Sequence, residues 1–294
     1  MNEKGQLLLP AHKKNDLLRQ YGGVVKTQLL SVRDDEVRGR TDWLAAEEPL
    51  EIRVQGPDQD ACNVAVTMRT PGHDDELALG FLLTEGLIQA RAEIRDIEAN
   101  TRRLDGQPCN TVTVTLTHPF DPAPLRRNFY ATSSCGVCGK ASLEQVAVRC
   151  APVASGLVIA RSLLVELPHV LRQRQQLFAQ TGGLHATGLF DAAGRLLVLR
   201  EDVGRHNAVD KIVGHQVLAG APSLANQVLM VSGRLSFEIV QKAAMARAPL
   251  VCAVSAPSSL AVQTAQRLGL TLVGFLRNSS FNVYTHPERI ACDR

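Results

Sequence analysis

Two of the seven cysteines in this 294-residue chain stand as a C-x-x-C pair, Cys135 and Cys138, within Ser133-Ser134-Cys135-Gly136-Val137-Cys138-Gly139-Lys140. Glycine on both sides of a thiol permits sharp backbone bends and close approach. Ser142 and Gln145 have capping-box spacing and open a helix whose apolar face is Leu143, Val146 and Ala147. The thiols therefore fall on a loop just ahead of a helix N-terminus, with Lys140 beside them. Amide dipoles and an ammonium both favour thiolate, the form that attacks sulfur or binds metal. This is the pattern of a reactive sulfur site.

Several chemistries use such a pair. A structural zinc site needs two more ligands at suitable spacing. Only isolated Cys109, His118 and Cys150 lie nearby, and there is no second C-x-x-C, so zinc is disfavoured. A hydrolytic zinc deaminase needs H-x-E ahead of P-C-x-x-C. No such triplet precedes the pair, and Ser134 stands where that signature has proline. A thioredoxin-like dithiol sits near the start of a βαβ pattern in a short domain, whereas this pair follows a proline-rich stretch in a longer chain. A persulfide carrier needs an exposed, low-pKa thiolate on a loop that reaches both donor and acceptor. Local sequence leaves dithiol and persulfide chemistry open.

Composition narrows the setting. Hydrophobic residues make up 45% and charged residues 21%, enough for real cores, and aromatics at 4% make those cores aliphatic. The length suits two domains. The net charge of +3 comes with short arginine clusters (Arg102-Arg103, Arg126-Arg127, Arg172 and Arg174), not a nucleic-acid stripe. The start of the chain lacks a signal-peptide core, and no apolar run approaches the roughly 18 residues of a membrane span. Seven scattered cysteines argue against a disulfide framework, and a cytoplasmic location follows as the expectation.

The elements that must position the thiols fall into two rhythms. Residues 1–20 read as a loose tail. From 21 to 125 the chain reads as an α+β domain, with strands at Val24–Val32, Pro49–Gln55, Cys62–Arg69 and Asn110–Thr117. One helix interrupts them, capped by Asp74, with apolar face Leu77, Phe81 and Leu82 and closed by Gly86. Asp105-Gly106 is a hairpin-type turn. The proline-rich stretch His118–Pro124 marks the boundary. From 126 to 294 strands alternate with helices: a helix over Glu166–Gln180, then a hairpin around Asp191–Gly194. Helices follow at Asn207–Leu218, Phe237–Arg247 and Ser259–Leu268, with strands at Gln227–Val231, Leu250–Val254 and Thr271–Leu276. That order predicts a three-layer α/β/α sandwich, with the C-x-x-C loop at the junction.

In such a sheet the segments leaving the strand ends share one edge: Glu201–Asn207, Ser232–Ser236, Ser255–Ser259 and Arg277–Ser280. Each is rich in Ser, Arg, Asn or Gly, and three lead into helix N-termini, which suits a phosphorylated ligand such as a nucleotide. Arg205, His206, Ser232 and Arg234 are candidate contacts on this logic. Ser236 and Ser258 serve equally as helix caps, and a lone histidine such as His206 is more often structural. The seven charged or polar residues within Glu201–Lys211 are nevertheless dense for a strand-to-helix turn. The usual ATP and dinucleotide signatures are absent.

Thr70-Pro71-Gly72 with Leu79–Gly86, Cys135–Gly139, Gly182–Ala186, Glu201–Lys211, Ser232-Gly233-Arg234 and Val283–Ile290 occur in that order. Together they closely resemble the FdhD/NarQ family of formate dehydrogenase accessory sulfurtransferases, from about Glu48 to Ile290. The resemblance implies a sulfurtransferase that accepts persulfide sulfur from a cysteine desulfurase. It implies transfer to the molybdenum cofactor, a bis(molybdopterin guanine dinucleotide), needed for formate dehydrogenase activity. Cys135 would carry the persulfide and Cys138 assist. The cofactor-binding segment would be Phe275, Leu276, Arg277, Asn278, Ser279 and Ser280, in which Arg277 is the sole charge and GDP is a candidate occupant. It further implies a homodimer, and a C-terminal domain of cytidine-deaminase-like fold without the zinc site. The expectation is thus a cytoplasmic α/β sulfurtransferase with no resident metal and no nucleic-acid or membrane partner. A dithiol oxidoreductase and a non-catalytic molybdenum-cofactor chaperone are the alternatives.

Overall fold

The computed structural model describes residues 19–34, 36–102, 108–121 and 150–292. The Cys135/Cys138 loop, the Ser142–Gln145 capping box, the Asp105-Gly106 turn and nearly all of the N-terminal tail lie outside the described residues.

β1 (Arg19–Tyr21), β2 (Val24–Arg33) and β3 (Glu36–Ala45) form an antiparallel sheet. β4 (Glu48–Gln55), β5 (Cys62–Arg69), β6 (Ile94–Arg102) and β7 (Pro108–Leu116) form a mixed sheet in the order β5-β4-β7-β6, with the central pair β4 and β7 parallel. Sequence reading placed β2, β4, β5 and β7 but missed β3 and β6. In β3, residues 36–41 are all exposed, so neither face carries an apolar alternation. In β6, Ile94 and Ile97 stand three apart because the register slips between Ile94 and Asp96, which breaks the period of two.

α1 (Asp74–Thr84) follows β5. Its cap is His73, in the left-handed region at φ 58° with no side-chain capping bond, and not Asp74. The Asp74 carboxylate instead accepts from Arg69 Nη2 at 2.8 Å and Nε at 3.0 Å, because Arg69 is 1% exposed and a buried guanidinium must be paired. Gly86, at φ 75°, closes the helix as expected.

The single helix read over Glu166–Gln180 is two: α2 (Arg161–Arg174) and α3 (Gln176–Thr181), broken at Gln175. A start at Glu166 would have put Pro168 in the first turn, where proline is tolerated. The helix instead begins a turn earlier and keeps Pro168 inside, because Leu164, Leu167 and Leu171 form one fully buried stripe.

The largest sheet joins β9 (His185–Asp191), β10 (Leu196–Asp202), β11 (Gln227–Val231), β12 (Leu250–Ala253), β13 (Thr271–Arg277) and β14 (Ser280–Thr285), in the order β10-β9-β11-β12-β13-β14. Between them run α4 (Arg205–Leu218), α5 (Phe237–Met245) and α6 (Ser259–Leu268). A short parallel pair, β8 (Ile159–Ala160) with β15 (Ile290–Ala291), completes the strands. Alternate residues of the central strands go to opposite faces. Val228, Met230, Leu250 and Cys252 pack with the α2 stripe, while Leu229, Val231, Val251 and Ala253 pack with Val209, Ile212, Ile239 and Val240 of α4 and α5.

That second cluster continues without a break into α1 and on to Leu50, Ile52, Val54, Val112 and Val114 of the four-stranded sheet. The junction is an intimate crossing of α1 and α4. A Cβ on Gly80 would lie 1.8 Å from the Asp210 carbonyl oxygen, and one on Gly214 would lie 1.7 Å from that of Glu76. Ion pairs flank the crossing. Arg200 makes a two-pronged pair with Glu76, which also bonds His215, and Lys242 holds both Asp210 oxygens at 2.8 and 2.9 Å.

Candidate functional site at the carboxyl edge of the sheet

β10 and β11 are each antiparallel to β9, and β12 and β13 are parallel to β11. Four strands therefore end at the same edge, as the sequence predicts, and three of them feed α4, α5 and α6. The fourth segment, Arg277–Ser280, turns straight back into β14, a strand that sequence reading left out. Asn278 and Ser279 are both left-handed, at φ 49° and 60°, as a two-residue hairpin turn requires. Ser280 Oγ donates to the Arg277 carbonyl at 3.0 Å and closes it.

Within Phe275–Ser280, Leu276 is fully buried in the core and serves to anchor the segment. Phe275 sits at a bulge with φ 53°, and its N–H donates to the Ser255 carbonyl at 3.1 Å, tying this strand end to the neighbouring loop. Arg277, Asn278, Ser279 and Ser280 are exposed, with the Arg277 guanidinium 5.8 Å from the Phe275 ring centroid.

The density of the Glu201–Lys211 string is mostly structural. Glu201 accepts from the first N–H groups of α3, Leu177 at 2.9 Å and Phe178 at 2.7 Å. Asp202 pairs with Lys211 at 2.7 Å, both at most 1% exposed, and also accepts from Thr70 N, Gly204 N and Asn207 Nδ2. Lys211 donates to the Thr70 carbonyl at 2.8 Å, and Asn207 donates to that of Met68 at 2.7 Å. The string therefore clamps the Thr70-Pro71-Gly72 turn. Sequence alone could not show this, because the partners lie more than a hundred residues away.

Arg205 and His206 are left facing the edge. Arg205 Nε is buried without a hydrogen-bond partner among the described residues. The His206 ring lies 3.3 Å from Ser236 Oγ and 3.9 Å from Glu238 Oε2. Burial, with Lys242, Arg205 and His185 adding and Glu238 opposing, pushes its pKa down to about 4, so the ring is neutral at pH 7. Ser236 occupies the cap position of α5 but points at His206, whereas Ser258 caps α6 through the Ala261 N–H at 3.2 Å. Ser232 is spent on structure: its Oγ accepts from Ala186 N at 2.8 Å. Sequence reading missed His185, at the start of β9 beside Gly233. Its pKa is lowered by burial and then by Arg205 and Arg234, with Asp202 opposing. The antiparallel placement of β9, which brings that strand's first residue to this edge, is the reason it was overlooked.

Among the described thiols, Cys252 and Cys150 are buried and burial pushes both thiol pKa values up, so neither is a thiolate at neutral pH. Cys292 is exposed and Cys62 is half-buried. Among the described residues no group of three or more His, Cys, Asp or Glu is placed to hold a metal ion. No described helix is long and apolar enough to cross a membrane.

The fold and this edge define a mixed α/β protein with a polar strand-end site. The FdhD/NarQ family model matches residues 45–291, and the chain belongs to the FdhD/NarQ family. It is 52% identical over 257 residues to the sulfur carrier protein FdhD of Mycolicibacterium paratuberculosis, covering 85% of this chain and 93% of that one. It is 48% identical over 273 residues to the protein of that name from Streptomyces coelicolor, covering 90% and 95%. A solved structure from Desulfotalea psychrophila, named as a formate dehydrogenase accessory protein, superposes with a TM-score of 0.71 at 27% identity. The match covers 91% of this chain and 99% of that one.

Proposed function

We propose that this chain is a sulfurtransferase that carries sulfur on Cys135 and delivers it to the molybdenum cofactor, bis(molybdopterin guanine dinucleotide), for formate dehydrogenase. The observation that carries the reading is the glycine-flanked Cys135/Cys138 pair in a chain half identical to proteins named sulfur carriers. The Cys135 thiolate attacks the outer sulfur of a persulfide on a cysteine desulfurase. One S–S bond forms as another breaks, the donor cysteine leaves as thiolate, and no net oxidation occurs. Cys138 assists release of the sulfur to the acceptor. The molybdenum cofactor is substrate here, and its guanine-nucleotide ends lie against the strand-end loops and the Phe275–Ser280 hairpin, a seat that GDP also fits. The protein works as a cytoplasmic homodimer, and its C-terminal half is of cytidine-deaminase-like layering without the zinc site.

The test is intact-protein mass spectrometry after incubation with a cysteine desulfurase and cysteine. The wild type should gain the mass of one sulfur, removable by reductant, and Cys135→Ala should not. The raised pKa of Cys150 and Cys252 keeps both from competing. If the wild type gains nothing but loses two hydrogens on mild oxidation, Cys135 and Cys138 form a redox dithiol and the carrier reading is wrong.

A further inference from the structure

Three basic side chains from three separate elements converge on Gly233: His185 from the start of β9, Arg205 from the first turn of α4, and Arg234 from the segment between β11 and α5. A Cβ on Gly233 would lie 3.2 Å from His185 Nδ1 and 3.8 Å from Arg205 Cδ, so the glycine keeps the space between them open. Arg234 is exposed at the mouth, while His185 and Arg205 are half-buried behind it. Of the nearby carboxylates, Asp202 is engaged with Lys211 and Glu201 with the start of α3, while Glu238 lies beside the neutral His206 ring.

Two guanidiniums thus stand without an acid partner among the described residues, and the Nε of one is buried with no acceptor. Buried donors in folded proteins are nearly always bonded, so this one awaits an acceptor from outside the described chain. The guanidinium fork matches phosphate oxygens in a two-pronged geometry.

We propose that His185, Arg205 and Arg234 form a seat for a phosphate group, distinct from the Phe275–Ser280 hairpin. The β11 loop and the β13 hairpin are two strand spacings apart, about 10 Å. That suits a nucleotide whose phosphates occupy the seat and whose base end reaches the hairpin; this orientation rests on the sulfur-transfer reading, whereas the seat does not.

Calorimetric titration of the full chain with inorganic pyrophosphate, and separately with GDP, tests both points. The wild type should bind pyrophosphate. Arg234→Glu, at an exposed position that leaves the core intact, and Gly233→Val should each weaken it by roughly tenfold or more, the worth of a lost charged hydrogen bond. Arg195→Ala, a basic residue at the opposite end of β10, should leave it unchanged. The seat is overturned if the wild type ignores pyrophosphate, or if Arg234→Glu and Gly233→Val bind it as the wild type does. If pyrophosphate binding shows the expected dependence while GDP binds no tighter and ignores Arg277→Ala, the seat stands and the nucleotide assignment of the hairpin falls.

Discussion

Gly80→Ala tests the crossing on which the site edge depends. The added methyl would lie 1.8 Å from the Asp210 carbonyl oxygen, where anything under 3.0 Å forces a shift, so α1 and α4 must part by at least about 1.2 Å. They cannot part freely, because Lys242 bridges Asp210 to Thr84 and Arg200 bridges to Glu76. Overpacking a well-filled core costs about 1–3 kcal/mol and occasionally more. Strained buried ion pairs on both flanks put this case at the upper end, about 3 kcal/mol, or a fall of roughly 6 °C in unfolding midpoint. Thermal unfolding followed by circular dichroism reads it directly. Gly39→Ala, with nothing within 4 Å of the new methyl, is the control. Gly214→Ala should cost a similar amount. The double variant should cost less than the sum of the two, because helices already parted accommodate the second methyl. A midpoint for Gly80→Ala within about 2 °C of the Gly39→Ala control would refute the close-crossing argument.

Further outcomes follow from the buried charges. Lys211→Met should destabilise by about 3–5 kcal/mol in urea unfolding, because it leaves the Asp202 carboxylate buried without its cation. His206 has a folded pKa near 4 against about 6.5 unfolded. The unfolded state therefore takes up its proton first, and stability tied to the neutral ring is full above pH 6.5 and lost as pH falls toward 4. The ceiling is about 3 kcal/mol for a shift of that size. Urea midpoints between pH 7 and 4 should fall less steeply in His206→Gln, and an NMR titration midpoint for His206 near 6.5 would contradict the buried setting. Alkylation of native protein should label Cys292 readily while Cys252 stays unmodified until unfolding, since only the former is exposed.

The sequence by itself determined the alternation of strands and helices from β9 onward, the common edge of the strand-end loops, and the C-x-x-C spacing of Cys135 and Cys138. Each of these is written in local periodicity, capping and spacing. β3 was illegible because its residues 36–41 face water on both sides, β6 because a bulge broke its period, and the start of α2 because the buried leucine stripe overrode Pro168. Tertiary structure alone decided what the Glu201–Lys211 string does. Its carboxylates, amide and lysine bind partners at Thr70, Met68 and Lys242, and no local pattern encodes such a distant pairing. The same holds for Gly80 and Gly214, whose missing side chains matter only because α1 and α4 cross there. Spacing along the chain proposes which residues have the right chemistry. Burial and the pairing of charges decide which of them, like His185, Arg205 and Arg234 among the described residues, are left to use it.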